Sequence, residues 1–443
     1  MSVAQRSVSR EILALAVPAF ATLVSEPLLL LADSAIIGHL ATTSLAGLGL
    51  AGNVIGVVVG LCIFLAYGTT SSVARLLGAG RRRDALTEGF DGMVLGAGLG
   101  LVLALLMQLL GPAIIGLYHP SPQVAGEALT YLRVTSLGFP ALLVMLSSTG
   151  VLRGLQDTRT PLYVAVGVNL CNIGLNLLFV YGLGLGILGA AIGTVLSQSA
   201  AAVLLAVVVL RGARREQAPL VFRPGGILKA ARSGVWLVLR TASLQTSITA
   251  TTIVATHLGV IGLAAHQVAN SWWSFLAFAL DALAIACQAI IGRHLGAGDV
   301  ATARHVMRTA LQWGVGGGAV LGAVIIAVRP LLIPIFTPDA AVAAQLSGAL
   351  LVIGLLQPLA GVVFVLDGVL IGAGDARYLA LAGLLATALH LPFVWLLDVN
   401  GPSLWALWVV YGVFMLGRGL TLAWRVHGDA WMRLGADSTG AAG

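Results

Sequence analysis

Charged side chains are scarce in this chain, at 9% of its 443 residues, against roughly a quarter in an ordinary soluble domain. Such a small number of charges excludes a water-soluble fold for a chain of this length. Hydrophobic residues make up 58% of the sequence and occur in long runs that fill most of it. Because about 20 consecutive apolar residues are enough for a helix to cross a bilayer, the sequence predicts an all-α integral membrane protein.

Lysine is almost absent, since the 24 basic residues are 23 arginines and Lys229. The net charge of +7 does not indicate a nucleic-acid partner, because the arginines lie in short loops between apolar runs. Lys229 is followed by Ala230, whereas a phosphate-binding loop ends in Lys-Ser or Lys-Thr. The sequence also lacks a His-Glu-x-x-His motif and a serine in a nucleophile elbow. We therefore expect neither an enzyme nor an ATP-driven pump, with no catalytic residues and no cofactor.

Cysteine is also rare, and Cys62, Cys171 and Cys287 lie in separate apolar runs. Their spacing predicts no disulfide framework and no metal site, so we expect three buried thiols. The first apolar run carries Glu26 and Asp33 and lacks a small-residue cleavage site. It is therefore predicted to stay as the first membrane helix and not to be a cleaved signal peptide.

Turn-rich or charged breaks separate twelve predicted transmembrane helices, at 10–37, 45–74, 85–111, 123–152, 160–181, 186–210, 233–256, 263–291, 303–328, 341–371, 378–397 and 404–427. Twenty of the 24 basic residues lie at alternate ends of these helices, and the opposite loops contain only Arg329. Because basic residues in short loops remain cytoplasmic, both termini are predicted to be cytoplasmic. We expect a multi-pass protein of the inner, plasma membrane.

The sequence contains an internal repeat with an offset of 218 residues. Leu77-Gly78-Ala79-Gly80 matches Leu295-Gly296-Ala297-Gly298, and the prolines at 112, 120 and 140 match those at 330, 338 and 358. Each repeat holds six predicted helices, an even number, so the halves run parallel. This pattern predicts two pseudo-symmetric six-helix bundles, an arrangement known from secondary transporters. The expected domains are a lobe at 1–210, a basic cytoplasmic linker at 211–232, a lobe at 233–428 and a cytoplasmic tail at 429–443.

Four acids lie inside apolar runs: Glu26, Asp33, Asp281 and Asp367. A carboxylate at the bilayer centre costs about 2.5–3.5 kcal/mol on insertion scales, so each needs either a function or a polar partner. We favour a functional role for Asp33, give both interpretations equal weight for Glu26, and favour bracing by an arginine or hydroxyl for the other two. Pro18 and Pro27 interrupt hydrogen bonding in the first helix and are predicted bend points, because proline kinks helices.

A second polar group follows helical spacing, because Asn169, Asn172 and Asn176 place three amides on one stripe of the fifth predicted helix. Thr194 in the sixth predicted helix lies at a similar predicted depth, so these residues and Asp33 are expected to share a pocket. The alternative interpretation is amide packing between helices. In the second repeat, the position equivalent to Asn172 is His390. His390, Asp281 and Asp367 are the polar candidates of that half.

Several motifs occur together: Glu26-Pro27-Leu28 with Asp33, the two Leu-Gly-Ala-Gly turns, and Arg153-Gly154-x-x-Asp157-Thr158. With the twelve predicted helices in two parallel halves, the chain resembles the multidrug and toxic compound extrusion (MATE) family, in its DinF-like branch. The resemblance spans nearly the whole chain. It implies a cation-coupled antiporter that expels amphipathic, often cationic, small organic molecules by alternating access, with H⁺ or Na⁺ as the coupling ion.

The resemblance also implies roles for individual residues. Asp33 matches the family's proton site, and a bend at Pro18 is expected to accompany its protonation. The family's pocket positions fall on Glu26, Asn172, Asn176 and Thr194. We therefore expect Asp33 and Glu26 to couple the cation, and the substrate pocket to include Asn169, Asn172, Asn176 and Thr194. Some relatives carry an acid at the position of Asn176, so this chain is expected to bind its proton at Asp33 alone.

Two other functions are compatible with a polytopic helical bundle. A flippase or exporter of a lipid-linked or polar metabolite predicts a wide cationic cleft, whereas the charges predicted inside the membrane here are mostly acidic. A non-transporting receptor or scaffold does not account for the duplicated bundles and buried acids. We expect a monomer in the lipid bilayer.

Overall fold

The computed structural model describes residues 3–401 and 403–436, with side chains from Ser7 onward. Residues 437–443 of the predicted tail lie outside the described residues. All regular structure in the described residues is helical: α1 (Val3–Gly38), α2 (Thr42–Cys62), α3 (Phe64–Gly78), α4 (Arg82–Gly116), α5 (Pro122–Ser136), α6 (Phe139–Gly154), α7 (Arg159–Leu177), α8 (Gly186–Arg215), α9 (Pro224–His257), α10 (Gly259–Gly296), α11 (Val300–Phe336), α12 (Ala340–Gly372), α13 (Ala376–Val399) and α14 (Leu404–His427). A π-helical segment, Leu178–Gly182, follows α7.

These helices correspond to the twelve predicted spans. α2 and α3 form one apolar stretch, Thr42–Gly78, while α5 and α6 form a second span that bends by 53°. Nine further helices are each long and apolar enough to cross a membrane. The twelfth, α9, is more polar because it contains Lys229, Arg232 and Arg240. The prediction of an all-α membrane protein with twelve spans is confirmed.

The chain divides into two compact units, but the division falls within α1. One unit comprises Ala21–Gly234, and the other comprises the chain up to Phe20 together with the residues from Val235 onward. The first half of α1 thus groups with the second repeat, whereas the predicted lobe at 1–210 included all of it. The division lies two residues after Pro18, whose ring removes a backbone hydrogen bond from the helix.

The first half of α1 is attached to its unit by two polar contacts. Arg293 of α10 donates a charge-assisted hydrogen bond to the Glu11 carboxylate. The indole nitrogen of Trp313 in α11 donates to the Ser9 hydroxyl over 3.2 Å. These contacts account for the grouping of this segment with residues far away in sequence.

Close helix packing repeats between the two units. In the first, a Cβ at Gly100 of α4 would come within 2.5 Å of the Pro140 Cα in α6. In the second, a Cβ at Gly318 of α11 would come within 3.0 Å of the Pro358 Cα in α12. Both pairs are related by the 218-residue offset. The glycines allow the backbones to approach closely, as small residues do in membrane bundles.

The turns repeat in the same way. Gly80 and Gly298 end their helices with φ of 72° and 76°, and Gln156 and Gly374 do so with φ of 68° and 76°. These left-handed conformations close a helix C-terminus and are easiest for glycine. The backbone therefore preserves the duplication even at Gln156, where the first repeat has lost the glycine.

The connection between the two repeats is shorter than the predicted linker at 211–232. Helix α8 extends to Arg215 and α9 starts at Pro224. Arg223 forms an ion pair with the buried Asp91 of α4, and Lys229 lies 3.0 Å from a carboxylate oxygen of Glu88. These acids fix the basic segment against α4, which allows its second part to continue as helix.

One expectation about buried residues differs from the structure. Cys62 and Cys287 are buried as predicted, but Cys171 is exposed, because an apolar run in a membrane protein also supplies the lipid-facing side. The described part of the tail is not free: Trp431 is fully buried, and the Gly435 amide donates to the Leu295 carbonyl over 3.1 Å.

Substitution of Gly361 tests the close crossing of α11 and α12. A Cβ at this position would lie 2.0 Å from the Gly314 carbonyl oxygen, so Gly361→Ala must push the two helices apart. We expect a loss of about 1–3 kcal/mol, as for other overpacked sites, measured as a lower thermal unfolding midpoint in detergent. The control is Gly316→Ala, since a Cβ there meets open space. Equal midpoints for the two variants would contradict this account of the packing.

Candidate functional site

A buried polar cluster surrounds Asp33 in the unit formed by Ala21–Gly234. Asp33 lies on α1 and its side chain is shielded from solvent, with 5% of the residue exposed. The Asn176 amide nitrogen, from α7, donates a hydrogen bond of 2.7 Å to an Asp33 carboxylate oxygen. Asn176 is itself fully buried. Two residues 143 positions apart in sequence therefore form the centre of this site.

The cluster continues as a chain of hydrogen bonds from α7 to α8. The Asn176 amide nitrogen also donates to the Asn172 side-chain oxygen over 3.0 Å. Asn172 in turn donates to the Thr194 hydroxyl over 3.4 Å, and that hydroxyl donates to the Ala190 carbonyl over 3.0 Å. The spacing of four residues between the two asparagines places them on one face of α7. A change at Asp33 can thus be transmitted to α8 through three side chains.

Gly193 fixes the position of the Asn176 amide. A Cβ on Gly193 would lie only 2.0 Å from the Asn176 side-chain oxygen, so no larger residue fits without displacing the amide. Gly189, one turn earlier, also packs closely, since a Cβ there would lie 2.8 Å from the Phe179 carbonyl carbon. We did not select these glycines from the sequence, although their four-residue spacing is typical of close helix contacts in membranes.

The backbone geometry of α7 changes directly after the cluster. The π-helical segment starts at Leu178, two residues beyond Asn176, and such segments are frequent at functional sites. Within it, the Tyr181 hydroxyl donates to the Ile36 carbonyl of α1 over 2.5 Å. Helix α1 is therefore joined to α7 at Asp33 and to the π-helical segment one turn further along α1.

Two of the residues selected from the sequence lie outside the cluster. The Asn169 amide donates to the Ser25 carbonyl over 3.0 Å, and so contacts α1 about two turns before Asp33. Glu26 is exposed and makes no hydrogen bond to a described residue. Seven residues of helix separate Glu26 from Asp33, which is about 10 Å. Helix α1 runs through both Pro18 and Pro27, and the predicted bending stays a prediction.

The polar candidates of the second unit have different surroundings. Asp367 is buried between the guanidinium groups of Arg240 and Arg418, and both donate to its carboxylate. This arrangement matches the bracing interpretation favoured from the sequence. His390 is fully buried and packs against the ring of Phe414, with centroids 5.4 Å apart. Asp281 is partly buried.

The two units are therefore chemically unequal where the repeat aligns them. The position equivalent to Asp33 is Thr251, whose hydroxyl donates to the Ser247 carbonyl over 2.9 Å. Among the described residues, no three histidine, cysteine or acidic side chains group as metal ligands. Among the described buried acids of the first unit, Asp91 pairs with Arg223, whereas Asp33 has an amide donor and no guanidinium partner.

Comparison with known proteins shows the family. The family model MatE matches the chain twice, at residues 18–178 and 237–396, in agreement with the 218-residue repeat. The chain belongs to the MATE family. These proteins are multi-pass membrane transporters for multidrug and toxic-compound efflux. The family resemblance seen in the sequence is confirmed.

Named relatives cover nearly all of this MATE chain. Protein DETOXIFICATION 44, chloroplastic, from Arabidopsis thaliana is 30% identical over 95% of this chain and 82% of its own length. DNA damage-inducible protein F from Escherichia coli is 30% identical over 93% of this chain and 91% of its own. The bent form of the Vibrio cholerae MATE transporter VcmN superposes with a TM-score of 0.88 at 22% identity and covers 98% of both chains. The last comparison shows the shared fold.

Removal of the Asp367 charge tests whether this acid is structural. Asp367→Asn would leave Arg240 and Arg418 buried without a counter-charge, and breaking a buried ion pair costs about 3–5 kcal/mol. We expect a strongly lowered thermal unfolding midpoint in detergent. Glu216→Gln serves as a control, because Glu216 pairs with Arg82 at the surface, with side chains 40% and 59% exposed, and such pairs contribute about 0–1 kcal/mol. If the two variants are equally stable, Asp367 is not a brace.

Proposed function

We propose that this MATE protein exports amphipathic, mainly cationic, organic compounds in exchange for protons that bind at Asp33. The observation that carries the proposal is the hydrogen bond from Asn176 to Asp33 at the start of a buried polar chain. A carboxylate inside a membrane protein is costly to bury and is a functional candidate by default. The family, whose members expel drugs and toxic compounds, supports the class of substrate.

The coupling rests on competition for one charge. A proton neutralises Asp33, which removes its attraction for an organic cation, and a bound cation favours the ionised carboxylate. The two ligands thus stabilise different charge states of the same site. Differential binding of this kind is what allows one ligand to drive the movement of another, since equal binding to both states drives nothing.

The hydrogen bonds of the Asn176 amide can change with the charge state of Asp33 and so affect the rest of the cluster. Its nitrogen donates to both Asp33 and Asn172, while its oxygen is buried without a hydrogen-bond partner among the described residues. An ionised Asp33 only accepts hydrogen bonds, but a protonated Asp33 also donates one. Rotation of the amide would let the Asn176 oxygen accept that proton, at the expense of the bond to Asn172. Proton binding would then rearrange the contact between α7 and α8.

We propose the proton as coupling ion for two reasons. A proton needs only one acceptor, and Asp33 is the single carboxylate among the hydrogen-bonded side chains of the cluster. A sodium ion needs several oxygen ligands, as hard cations do, whereas the atom that faces Asp33 is an N–H donor. The arginine distribution supports a location in the inner membrane with both termini cytoplasmic, and one chain contains both repeats, which supports a monomeric transporter.

Transport by an Asp33→Asn variant tests the function. In proteoliposomes with an imposed pH gradient, the parent protein should move a fluorescent organic cation with counterflow of protons. The isosteric amide cannot ionise, so we expect the gradient-driven component to fall by at least about ten-fold, the effect of losing roughly 1.4 kcal/mol of coupling. Folding is checked by the thermal unfolding midpoint. Transport by the variant at the parental rate, or transport that follows a sodium gradient, would contradict proton coupling at Asp33.

A second variant tests whether the position of Asn176 matters. Gly193→Ala places a methyl group where the Asn176 oxygen lies and should push the amide away from Asp33. We expect a shift in the pH dependence of transport, because the hydrogen bond that stabilises the ionised carboxylate is weakened. The matched control is Gly174→Ala in α7, where a Cβ meets open space. An unchanged pH profile in Gly193→Ala would show that the amide does not tune Asp33.

A further inference from the structure

A large groove lies in the second unit and shares no residue with the Asp33 cluster. It is enclosed by the first half of α1, by α10 around Leu280 and Leu283, and by α11 from Thr309 to Leu321. Its volume is about 780 Å³, within the roughly 300–1,000 Å³ of ligand-binding cavities. Filling such a mainly apolar space with an apolar group is favourable, because an empty cavity forfeits the dispersion contacts of its walls.

The depth of the groove matches one leaflet of a bilayer. On α1 its lining extends from Ser9 to Phe20, which corresponds to about 16 Å at 1.5 Å per residue. The hydrocarbon core of a bilayer is about 30 Å thick, so one leaflet contributes about half of this. Along this length the walls are mainly apolar, with Leu13, Val17 and Val320 among them. The shape therefore fits a single extended acyl chain.

The two ends of the groove differ in polarity. Only one end contains the Ser9 hydroxyl, which accepts from the Trp313 indole, and the buried Thr309. Arg10 and Arg308 are the sequence neighbours of these two polar residues. Arg10 precedes Leu13 and Val17 by three and seven residues and so shares their helix face. Arg308 precedes Gln312, another lining residue, by four.

Both arginines are available for an anionic ligand. Arg10 and Arg308 are exposed, and neither makes an ion pair or hydrogen bond to a described residue. The nearby carboxylate on α1, Glu11, is already engaged by Arg293. Basic pockets between membrane helices on the cytoplasmic side are suited to anionic lipid headgroups, and guanidinium groups form strong charge-assisted hydrogen bonds with phosphate.

We propose that this groove binds an anionic glycerophospholipid, with one acyl chain between α1, α10 and α11 and the phosphate at Arg10 and Arg308. The arginine distribution predicts that this lipid comes from the cytoplasmic leaflet. Its acyl chain fills the space beside the first half of α1 and adds to the Glu11 and Ser9 contacts that hold this segment. The site is separate from the Asp33 cluster and does not depend on the proposed function.

Two glycines on α11 allow the groove to be filled by mutation. A Cβ at Gly316 or Gly317, both in the lining, meets no atom within 4 Å. Gly317→Leu would therefore place its side chain in the groove, with a Cβ that meets no atom within 4 Å, and leucine is a good helix former. Gly98→Leu on α4 is the matched control, because Gly98 also faces open space but lies in the other unit.

Quenching of Trp313 by brominated lipids tests the proposal. Trp313 lines the groove and is 38% exposed, and its signal is obtained as the difference between each protein and the same protein with Trp313→Phe. The proteins are reconstituted in phosphatidylcholine vesicles that contain small fractions of brominated phosphatidylglycerol or brominated phosphatidylcholine. We expect phosphatidylglycerol to quench Trp313 at a roughly ten-fold lower fraction, as two arginines near the headgroup predict.

The variants separate the headgroup contact from the acyl-chain contact. Arg10→Gln combined with Arg308→Gln should abolish the preference for phosphatidylglycerol, whereas Arg214→Gln combined with Arg215→Gln, which changes two exposed arginines of the other unit, should not. Gly317→Leu should abolish the high-affinity quenching, and Gly98→Leu should retain it. Equal quenching of the parent by both lipids would overturn the proposal. So would unchanged quenching in Gly317→Leu, or displacement of the brominated lipid by an organic cation that binds the same groove more tightly.

Discussion

The contact between Asp33 and Asn176 is the interaction on which the proposed mechanism depends. A carboxylate in the membrane interior is unfavourable unless it is neutralised or hydrogen-bonded, and here one amide nitrogen supplies the hydrogen bond at 2.7 Å. An arginine at the position of Asn176 would keep the Asp33 carboxylate ionised, and Asp33 could then not exchange a proton. An amide stabilises the ionised acid only partly, so that the acid can still accept a proton.

The second repeat shows the opposite solution to the same problem. Asp367 has two arginine partners, and a carboxylate with two adjacent guanidinium groups is strongly held in its charged form. Its geometry suits a brace between α9, α12 and α14. The 218-residue offset replaces Asp33 by Thr251, so the duplication has kept the packing of glycines and prolines while the chemistry of the two halves has diverged. In the proposed mechanism, one unit contains the exchangeable charge, and the other contains the fixed one.

Much of this architecture follows from the sequence, because membrane helices have a required length and the repeat keeps its glycines and prolines in register. The helical spacing also predicted that Asn172 and Asn176 share a face of α7. Periodicity does not determine how closely two helices approach, however. The observed helix packing leaves Asn169 and Glu26 outside the Asp33 cluster and places Gly193 beside Asn176. The pairing of Asp367 with Arg418, 51 residues away, and the exposure of Cys171 likewise depend on tertiary packing.

The central claim is that a proton and an organic cation compete for Asp33. It is tested most directly by the number of protons released when tetraphenylphosphonium binds to the detergent-solubilised protein, measured by calorimetry in buffers of different ionisation enthalpy at a pH where the site is protonated. The account predicts release of about one proton by the parent protein, as linkage at a single acid requires, and none by Asp33→Asn. Cation binding without proton release, or the same release from the variant, would contradict it.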